Sequence, residues 1–204
     1  MTDAQTAEDD GFAVLADTGC GPVLGSQQAG GRFVQRIAIV GSGGAGKTVL
    51  ANRLSTHLDL PVTHLDALRY DSCWQVVPEP QFVAAQQAVI AGERWIIDGN
   101  SLASMPIRFA AADTIIFLDL PPLVCLSGIL VRRLRYRGGQ HADGVYDRIT
   151  IAVLRYVLSF RRRFAPRVRA CIAEHGPHAT LIEVTSRRQA DQLIARLGHD
   201  PTDG

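Results

Sequence analysis

Residues 41 to 48 read Gly-Ser-Gly-Gly-Ala-Gly-Lys-Thr, between the apolar run Ile37-Ala38-Ile39-Val40 and the segment Val49-Leu50-Ala51. This is the pattern G-x-x-x-x-G-K-[ST] of a phosphate-binding P-loop, or Walker A motif, in its required order of strand, turn and helix. Glycines let successive N–H groups turn towards a triphosphate, and the following helix adds its positive end. Lys47 is expected on the β- and γ-phosphates and Thr48 on Mg²⁺. We predict that ATP or GTP is bound by Gly41, Ser42, Gly43, Gly44, Ala45, Gly46, Lys47, Thr48 and Val49.

Lysine occurs once in this chain. Of the 21 basic residues, Lys47 is the single lysine and all the others are arginine. The loop needs a compact ammonium, for which a planar guanidinium does not substitute. A chance match to the motif is expected in about one in a hundred chains of this size from average composition, before the strand and helix are required. The phosphate-binding interpretation is therefore favoured over a chance glycine-rich turn.

Composition is that of an ordinary globular domain. The chain has 204 residues, of which 47% are hydrophobic and 20% charged, with a net charge of +1. A chain of this length is most simply one domain. Its net charge is too small to produce the overall positive electrostatic potential that is typical of a nucleic-acid binder. Four scattered cysteines suit buried thiols in a reducing compartment, no signal peptide is recognisable, and the longest apolar-rich stretch, 149 to 160, is too short for a bilayer. We expect a cytoplasmic protein with no membrane or nucleic-acid partner; its oligomeric state is left open.

Short apolar runs alternate with amphipathic segments along the rest of the chain. Strands are predicted at 33–40, 62–65, 94–97, 114–118 and 180–184, with helices between them. This order predicts an α/β fold, a three-layer P-loop NTPase sandwich whose five-stranded parallel sheet has helices on both faces. Residues 33–198 are predicted to form this domain, with 1–32 as a loosely ordered extension and 199–204 as a frayed tail.

Two helices carry finer predictions. The helix after Pro121 and Pro122 has leucines at helical spacing, which predicts a buried face. The last helix is predicted to start with a capping box made by Ser186 and Gln189. The leucines predicted to face inward are Leu123, Leu126, Leu130 and Leu134.

Ligands of parallel α/β sheets bind at the carboxyl ends of the strands, where several carboxylates fall. Asp98 ends a hydrophobic strand and is predicted to hold Mg²⁺ together with Thr48; the alternative is a turn-capping carboxylate. Asp66 is either the general base for an acceptor hydroxyl or a helix N-cap. Asp119, before two prolines, is predicted to be a structural cap.

Arginines are concentrated on both sides of a glycine-containing loop. Positions 132, 133, 135 and 137 end one helix, and a second group follows from 148 to 169. Arginines flanking a glycine hinge suit a lid that closes over phosphates, although helix C-termini favour arginine in any case. We predict a functional role for Arg132 together with Arg133, a catalytic role for Arg133 and Arg137, and a solvated face for Arg161 to Arg169.

Four segments together resemble a known family over residues 36 to about 170. They are IAIVGSGGAGKTVLANRLSTHLDLPVTHLDALRYDSCW, RWIIDGN, ADTIIFLDLPPLVCLSGILVRRLRYRG and LSFRRRFAPRVR. The combination resembles the adenylate kinase and shikimate kinase superfamily of small P-loop kinases, most closely the bacterial subgroup labelled DNA topology modulation protein or adenylate kinase-like. The resemblance implies strand order 2-3-1-4-5, an acceptor-binding insertion at 66–92 and a short lid at 135–147.

The resemblance also implies roles for single residues. Asp98 matches the aspartate that organises Mg²⁺, Arg69 resembles the arginine that grips the acceptor's phosphate, and Arg133 resembles the arginine that begins the lid. The chain departs from the subgroup after "DGN", where Ser101-Leu102-Ala103 replace an aromatic residue followed by polar ones, and at Arg69-Tyr70, where the subgroup has Tyr-Trp.

The sequence thus predicts an ATP-dependent kinase that transfers the γ-phosphoryl group to a nucleotide, a nucleoside or another small hydroxylated acceptor. Its partners would be a nucleoside triphosphate with Mg²⁺ and the small-molecule acceptor. One alternative is a nucleotide-binding regulator with little or no turnover; a weaker one is a nucleic-acid binder that uses the arginines at 161–169. We assign catalysis to Lys47, Asp66, Arg133 and Arg137, and acceptor binding to Asp66, Arg69, Asn100 and Arg108.

Overall fold

The structure, a computed structural model, describes residues 34–70, 75–136 and 150–197. The predicted N-terminal extension and tail lie outside these residues, as does the predicted lid beyond residue 136. The strands are β1 Arg36–Gly41, β2 Val62–His64, β3 Trp95–Asp98, β4 Thr114–Leu118 and β5 Thr180–Val184. The helices are α1 Lys47–Leu58, α2 Leu65–Arg69, α3 Glu79–Ile90, α4 Met105–Ala111, α5 Pro122–Tyr136, α6 Ile151–Arg163, α7 Ala165–His175 and α8 Arg187–Leu197.

The five strands form one parallel sheet in the order β2-β3-β1-β4-β5. The predicted fold class and strand order are therefore confirmed. Register brings the strand ends together: His64 pairs with Asp98, Asp98 pairs with Ile39, and Gly41 pairs with Leu118. The residues after the strands consequently meet at one edge, as a parallel sheet requires.

Strand β1 divides the core into two layers. Ile37 and Ile39 pack with α1, α5 and α8 on one face of the sheet, whereas Ala38 and Val40 pack with α3, α4 and α7 on the other. All four side chains are fully buried, which explains why this strand is a continuous apolar run rather than an alternating one. None of the helices in the described ranges combines the length and apolar character of a transmembrane segment.

Helix α5 faces the core with a different side from the predicted one. Leu123, Leu130 and Leu134 are 76%, 56% and 70% exposed, and the buried residues are Cys125 and Ile129. The leucine prediction was wrong for these three residues, whereas Leu126 is half-buried and packs against the core as predicted. This helix is apolar around most of its circumference, so helical spacing alone does not identify the buried side.

Small residues decide how α5 packs. A Cβ added at Gly128 would lie 2.3 Å from the carbonyl oxygen of Gly44, and one added at Gly44 would lie 2.2 Å from the carbonyl oxygen of Cys125. Both distances are far below van der Waals contact, so the backbone of α5 rests directly on the P-loop. Larger side chains at these positions would hold the helix away from the loop.

Three local features differ from the sequence-based interpretation. Helix α4 was not predicted; it starts with a proline in its first turn and buries Met105 and Phe109. The chain after β2 is helical at once, and His64 is the N-cap of α2, so Asp66 lies in the first turn and is not a cap. Of the two roles considered for Asp66, the role in the acceptor site therefore remains.

The capping box of α8 is confirmed in one half. The Gln189 N–H donates to Ser186 Oγ at 3.3 Å, as predicted. The Gln189 side chain instead accepts from the N–H and the hydroxyl of Thr185, at 2.7 and 2.9 Å. The reciprocal bond therefore closes one residue before its usual position.

Candidate active site

The P-loop has the backbone shape that an anion cradle needs. Gly44 and Gly46 adopt φ angles of +75° and +96°, in the left-handed region that favours glycine. A Cβ added at Gly46 would meet no atom within 4 Å, so open space lies beside the loop at the start of α1. An anion placed there would meet the N-terminal end of a helix.

Lys47 lies folded against this loop. Its ammonium donates to the carbonyl oxygens of Gly41 and Ser42, each at 3.0 Å. Desolvation lowers the pKa of Lys47, and the negative charges of Asp98 and Asp66 act in the opposite direction. The single lysine is thus held between the loop and two carboxylates.

Arg132 adds positive charge near Lys47. Desolvation is the main cause of the lowered pKa of Lys47, and the positive charge of Arg132 acts in the same direction. Arg132 comes three residues after the buried Ile129 on α5, and its own side chain is exposed. The sequence also predicts roles for Arg133, whose side chain is exposed, and for Arg137, which lies outside the described residues.

Asp98 is the centre of a polar chain. Thr48 Oγ1 donates to Asp98 Oδ2 at 3.0 Å, and His64 Nδ1 bonds to the other carboxylate oxygen. Because a carboxylate only accepts, the imidazole must carry its proton on Nδ1. The hydroxyl and the buried carboxylate fit magnesium, which prefers oxygen ligands and takes few of them from the protein. His64 was missed by the sequence interpretation, which read it only as part of β2.

Asn100 connects the P-loop to the rest of the site. The Gly41 N–H donates to Asn100 Oδ1 at 3.1 Å, and Asn100 Nδ2 donates to the Gly41 carbonyl. The same Nδ2 donates to the Tyr156 hydroxyl of α6 at 3.0 Å. Tyr156 was also missed, since the sequence interpretation of α6 attended to its arginines.

A polar cavity of about 230 Å³, which we call the acceptor pocket, lies beside Asn100. Arg69 in its wall forms an ion pair with Glu79 and lies over the Phe82 ring, 4.8 Å from the ring centre. Burial raises the pKa of Tyr156, and the negative charge of Asp66 acts in the same direction. The same charge opposes the lowering of the Lys47 pKa by desolvation. The structure therefore brings three predicted acceptor residues together. The pocket is lined by Leu65, Asp66, Arg69, Phe82, Asn100 and Ser101.

Arg108 is placed away from this pocket. Its side chain is fully buried, and it donates to the Gly99 carbonyl at 3.0 Å, to Ser104 Oγ at 3.2 Å and to Gln86 Oε1 at 3.3 Å. Burial lowers the pKa of Arg108 to about 10. The predicted contact with the acceptor is corrected on this point: both Nη atoms of Arg108 are bonded to protein groups, and its Nε is buried without a hydrogen-bond partner among the described residues. Arg108 therefore supports the loop that presents Asn100 and does not line the acceptor pocket.

Asp119 joins several elements through ion pairs rather than capping a helix. Arg161 Nε donates to one carboxylate oxygen at 3.0 Å and Arg169 Nη2 to the other at 2.9 Å. Arg169 also pairs with Glu183 at 2.9 Å, which raises the pKa of the guanidinium. The structural role predicted for Asp119 agrees with this geometry, but Arg161 and Arg169 are bonded and do not belong to a purely solvated face.

Comparison with known proteins finds similarity at the level of fold. No protein-family model matches this chain, and no curated sequence matches it. A shikimate kinase from Acinetobacter baumannii, solved with shikimate, aligns with a TM-score of 0.51 and 17% identity over 80% of this chain and 90% of that chain. A gluconokinase from Sinorhizobium meliloti 1021 aligns with a TM-score of 0.46 and 16% identity over 82% of this chain and 95% of that chain. At 17% identity, the alignment with the shikimate kinase shows a shared fold alone.

Proposed function

We propose that the protein is an ATP-dependent kinase that transfers the γ-phosphoryl group to a small hydroxylated acceptor. The observation that carries the proposal is the position of Asn100. Its amide holds the main chain of Gly41 at the start of the P-loop, and the same residue lines the acceptor pocket with Asp66 and Arg69. A donor cradle and an acceptor cavity with one common wall are what direct transfer between two bound molecules needs.

The residues divide the work as follows. The loop amides and Lys47 bind the donor phosphates, and Arg132 supplies further positive charge where negative charge develops. Thr48 and Asp98 would hold Mg²⁺, which neutralises phosphate charge when bound. Asp66 accepts the proton of the acceptor hydroxyl while the hydroxyl oxygen forms a bond to the γ-phosphorus. The bond between the γ-phosphorus and the oxygen that bridges to the β-phosphate breaks, and ADP leaves.

Arg69 is proposed to orient the acceptor from the far side of the cavity. Its guanidinium is held by Glu79 and the Phe82 ring, so its position is set before a ligand enters. A shared fold with a shikimate kinase supports a kinase by analogy only. The adenylate kinase-like subgroup, the cytoplasmic location and the domain limits stay predictions.

An acceptor screen with ATP and Mg²⁺, read by product mass, tests the proposal. Phosphate on one acceptor class supports a kinase. Saturable ATP binding without turnover on sugars, nucleosides, nucleotides and simple alcohols supports the alternative, a nucleotide-binding regulator. GTP should be run beside ATP, because nothing in the motif distinguishes the two bases.

Variants locate any activity in this site. Asp66→Asn keeps the size of the side chain and removes the base, so turnover should fall while ATP affinity is kept. Loss of ATP binding in that variant would contradict its placement on the acceptor side. Steeply salt-dependent DNA affinity abolished by changing Arg161 to Arg163 would instead favour the nucleic-acid alternative.

A further inference from the structure

A second cavity of about 230 Å³ opens on the other side of Asn100. Five of its seven lining residues in the described part of the chain have apolar side chains, and the polar ones are Asn100 and Tyr156. We call it the aromatic pocket. Beyond Asn100 it is lined by Leu102, Met105, Tyr156, Phe160, Phe164 and Val168.

The walls of the aromatic pocket are organised before any ligand enters. The rings of Tyr156 and Phe164 meet edge to face with centres 4.8 Å apart, and Phe160 and Phe164 stack at 6.1 Å. Met105, Phe160 and Val168 are about 1% exposed, whereas Leu102 is 38% exposed. The floor is therefore packed core, and Leu102 stands at the rim.

The chemistry of the lining selects against a polyhydroxylated ligand. The amide of Asn100 is already bonded to Gly41 and to the Tyr156 hydroxyl, so few hydrogen-bonding groups remain for a guest. Each hydroxyl or ring nitrogen that enters without a partner costs about 1–3 kcal/mol. Apolar surface entering the same space is stabilised instead.

The volume of the aromatic pocket is large enough for a ring of the size of benzene. An apolar cavity of roughly 150 Å³ lined by Leu, Ile and Phe binds benzene, and this pocket is larger. Aromatic walls also favour a ring over a flexible chain, since edge-to-face contacts add to burial.

We propose that the acceptor is an alcohol carrying an apolar ring, with the ring in the aromatic pocket and the hydroxyl beside Asp66 in the acceptor pocket. This assignment rests on the proposed kinase function for the role of the hydroxyl. The ring site itself stands on the cavity, on its apolar walls and on Asn100, which lines both this cavity and the acceptor pocket. It narrows the acceptor from hydroxylated metabolites in general to one chemical class.

Met105 offers a direct test, because the chain contains two methionines, Met1 and Met105. The protein is prepared with ¹³C-methyl methionine and titrated with benzyl alcohol in the absence of ATP. We expect the Met105 methyl signal, assigned with Met105→Leu, to move in a saturable way because a bound ring shifts nearby nuclei. Glycerol should leave the Met105 signal in place.

The variant Leu102→Trp places a bulky side chain at the rim, where exposure lets it fold. It should weaken benzyl alcohol binding at least about tenfold, equivalent to about 1.4 kcal/mol. The matched control is Leu123→Trp, a substitution at an exposed position on α5 outside the pocket, which should leave binding unchanged. No saturable Met105 shift with benzyl alcohol or cyclohexylmethanol would overturn the proposal, as would equal weakening by both variants.

The same titration separates failure of this inference from failure of the kinase assignment. If a sugar or a nucleoside is phosphorylated well while ring-bearing alcohols neither bind nor react, the kinase stands and the ring site is refuted. If benzyl alcohol shifts Met105 but no acceptor is ever phosphorylated, the ring site stands and the kinase is refuted.

Discussion

Lys47 is the residue on which the donor side of the site depends. It is the only lysine in the sequence, and its ammonium lies on the carbonyl oxygens of Gly41 and Ser42. The P-loop could be read from the sequence because its chemistry is local: glycines, lysine and threonine act from neighbouring positions. Contacts between distant positions, such as Asn100 with Tyr156, depend on how elements pack and leave no local pattern.

Replacing Lys47 with alanine removes the one flexible cation of the loop. We expect turnover to fall by at least about 100-fold, a loss of the size seen when one group that stabilises developing charge is deleted. Calorimetry with ATP and Mg²⁺ should show weakened nucleotide binding as well. A melting temperature near that of the parent protein would show that the fold is kept, and unchanged turnover would remove Lys47 from the mechanism.

His64 is expected to act through Asp98. Replacing it with phenylalanine removes the Nδ1 donor, so the carboxylate loses the partner that orients one of its oxygens. The Mg²⁺ concentration for half-maximal turnover should rise about 10- to 100-fold, as for other partners of metal ligands. His64→Asn keeps an amide donor near the same place and should restore much of the metal affinity. An equal Mg²⁺ requirement in parent and phenylalanine variant would show that Asp98 needs no such support.

Helix α5 shows what element-scale prediction lacks. Its leucines have the right spacing for a buried stripe, yet the helix turns Cys125, Gly128 and Ile129 towards the loop because a close backbone approach requires small residues there. Helical spacing gives the period of an element but not the shape of its neighbour. The unpredicted helix α4 is a similar case, since its seven residues are too few for a clear period.

Neighbouring alanine substitutions measure the orientation of α5. Ile129→Ala opens a cavity beneath a side chain that is 2% exposed, so the free energy of unfolding should fall by about 2–5 kcal/mol. Leu130→Ala changes an exposed position and should alter it by no more than about 0.5 kcal/mol. Urea unfolding of the two variants gives both values. A larger loss for Leu130 than for Ile129 would mean that the sequence-based face is the true one.

At the scale of the whole molecule, the parallel sheet with helices on both faces could be predicted because it follows from alternating strands and helices. The strand order was implied by the resemblance to small P-loop kinases. The ion pairs that join residues far apart in the sequence could not be predicted. Asp119 holds α6 through Arg161 and α7 through Arg169, two helices that the sequence places over 40 residues later. No sequence pattern near Asp119 indicates that Arg161 and Arg169 are its partners.

Asp119→Ala tests this tie between helices and sheet. It leaves two guanidinium groups without their buried acceptor, although both are about 42% exposed and can turn to water. We expect the free energy of unfolding to fall by about 1–3 kcal/mol, with KM for ATP unchanged. Glu183→Ala, which removes only the more exposed partner of Arg169, should cost no more than about 1 kcal/mol. A selective loss of turnover in Asp119→Ala without a loss of stability would indicate that the carboxylate acts in the reaction.

The amide of Asn100 exchanges hydrogen bonds with both main-chain groups of Gly41, as a residue of a neighbouring strand would. It thereby adds a rung to the sheet beyond the end of β3. Asparagine and glutamine present a donor and an acceptor side by side on one planar amide, and glutamine is a methylene too long. Aspartate would repel the carbonyl, and serine would not span the gap. We therefore expect asparagine to be kept at position 100 in natural or directed evolution, even where the residues of the surrounding loop vary.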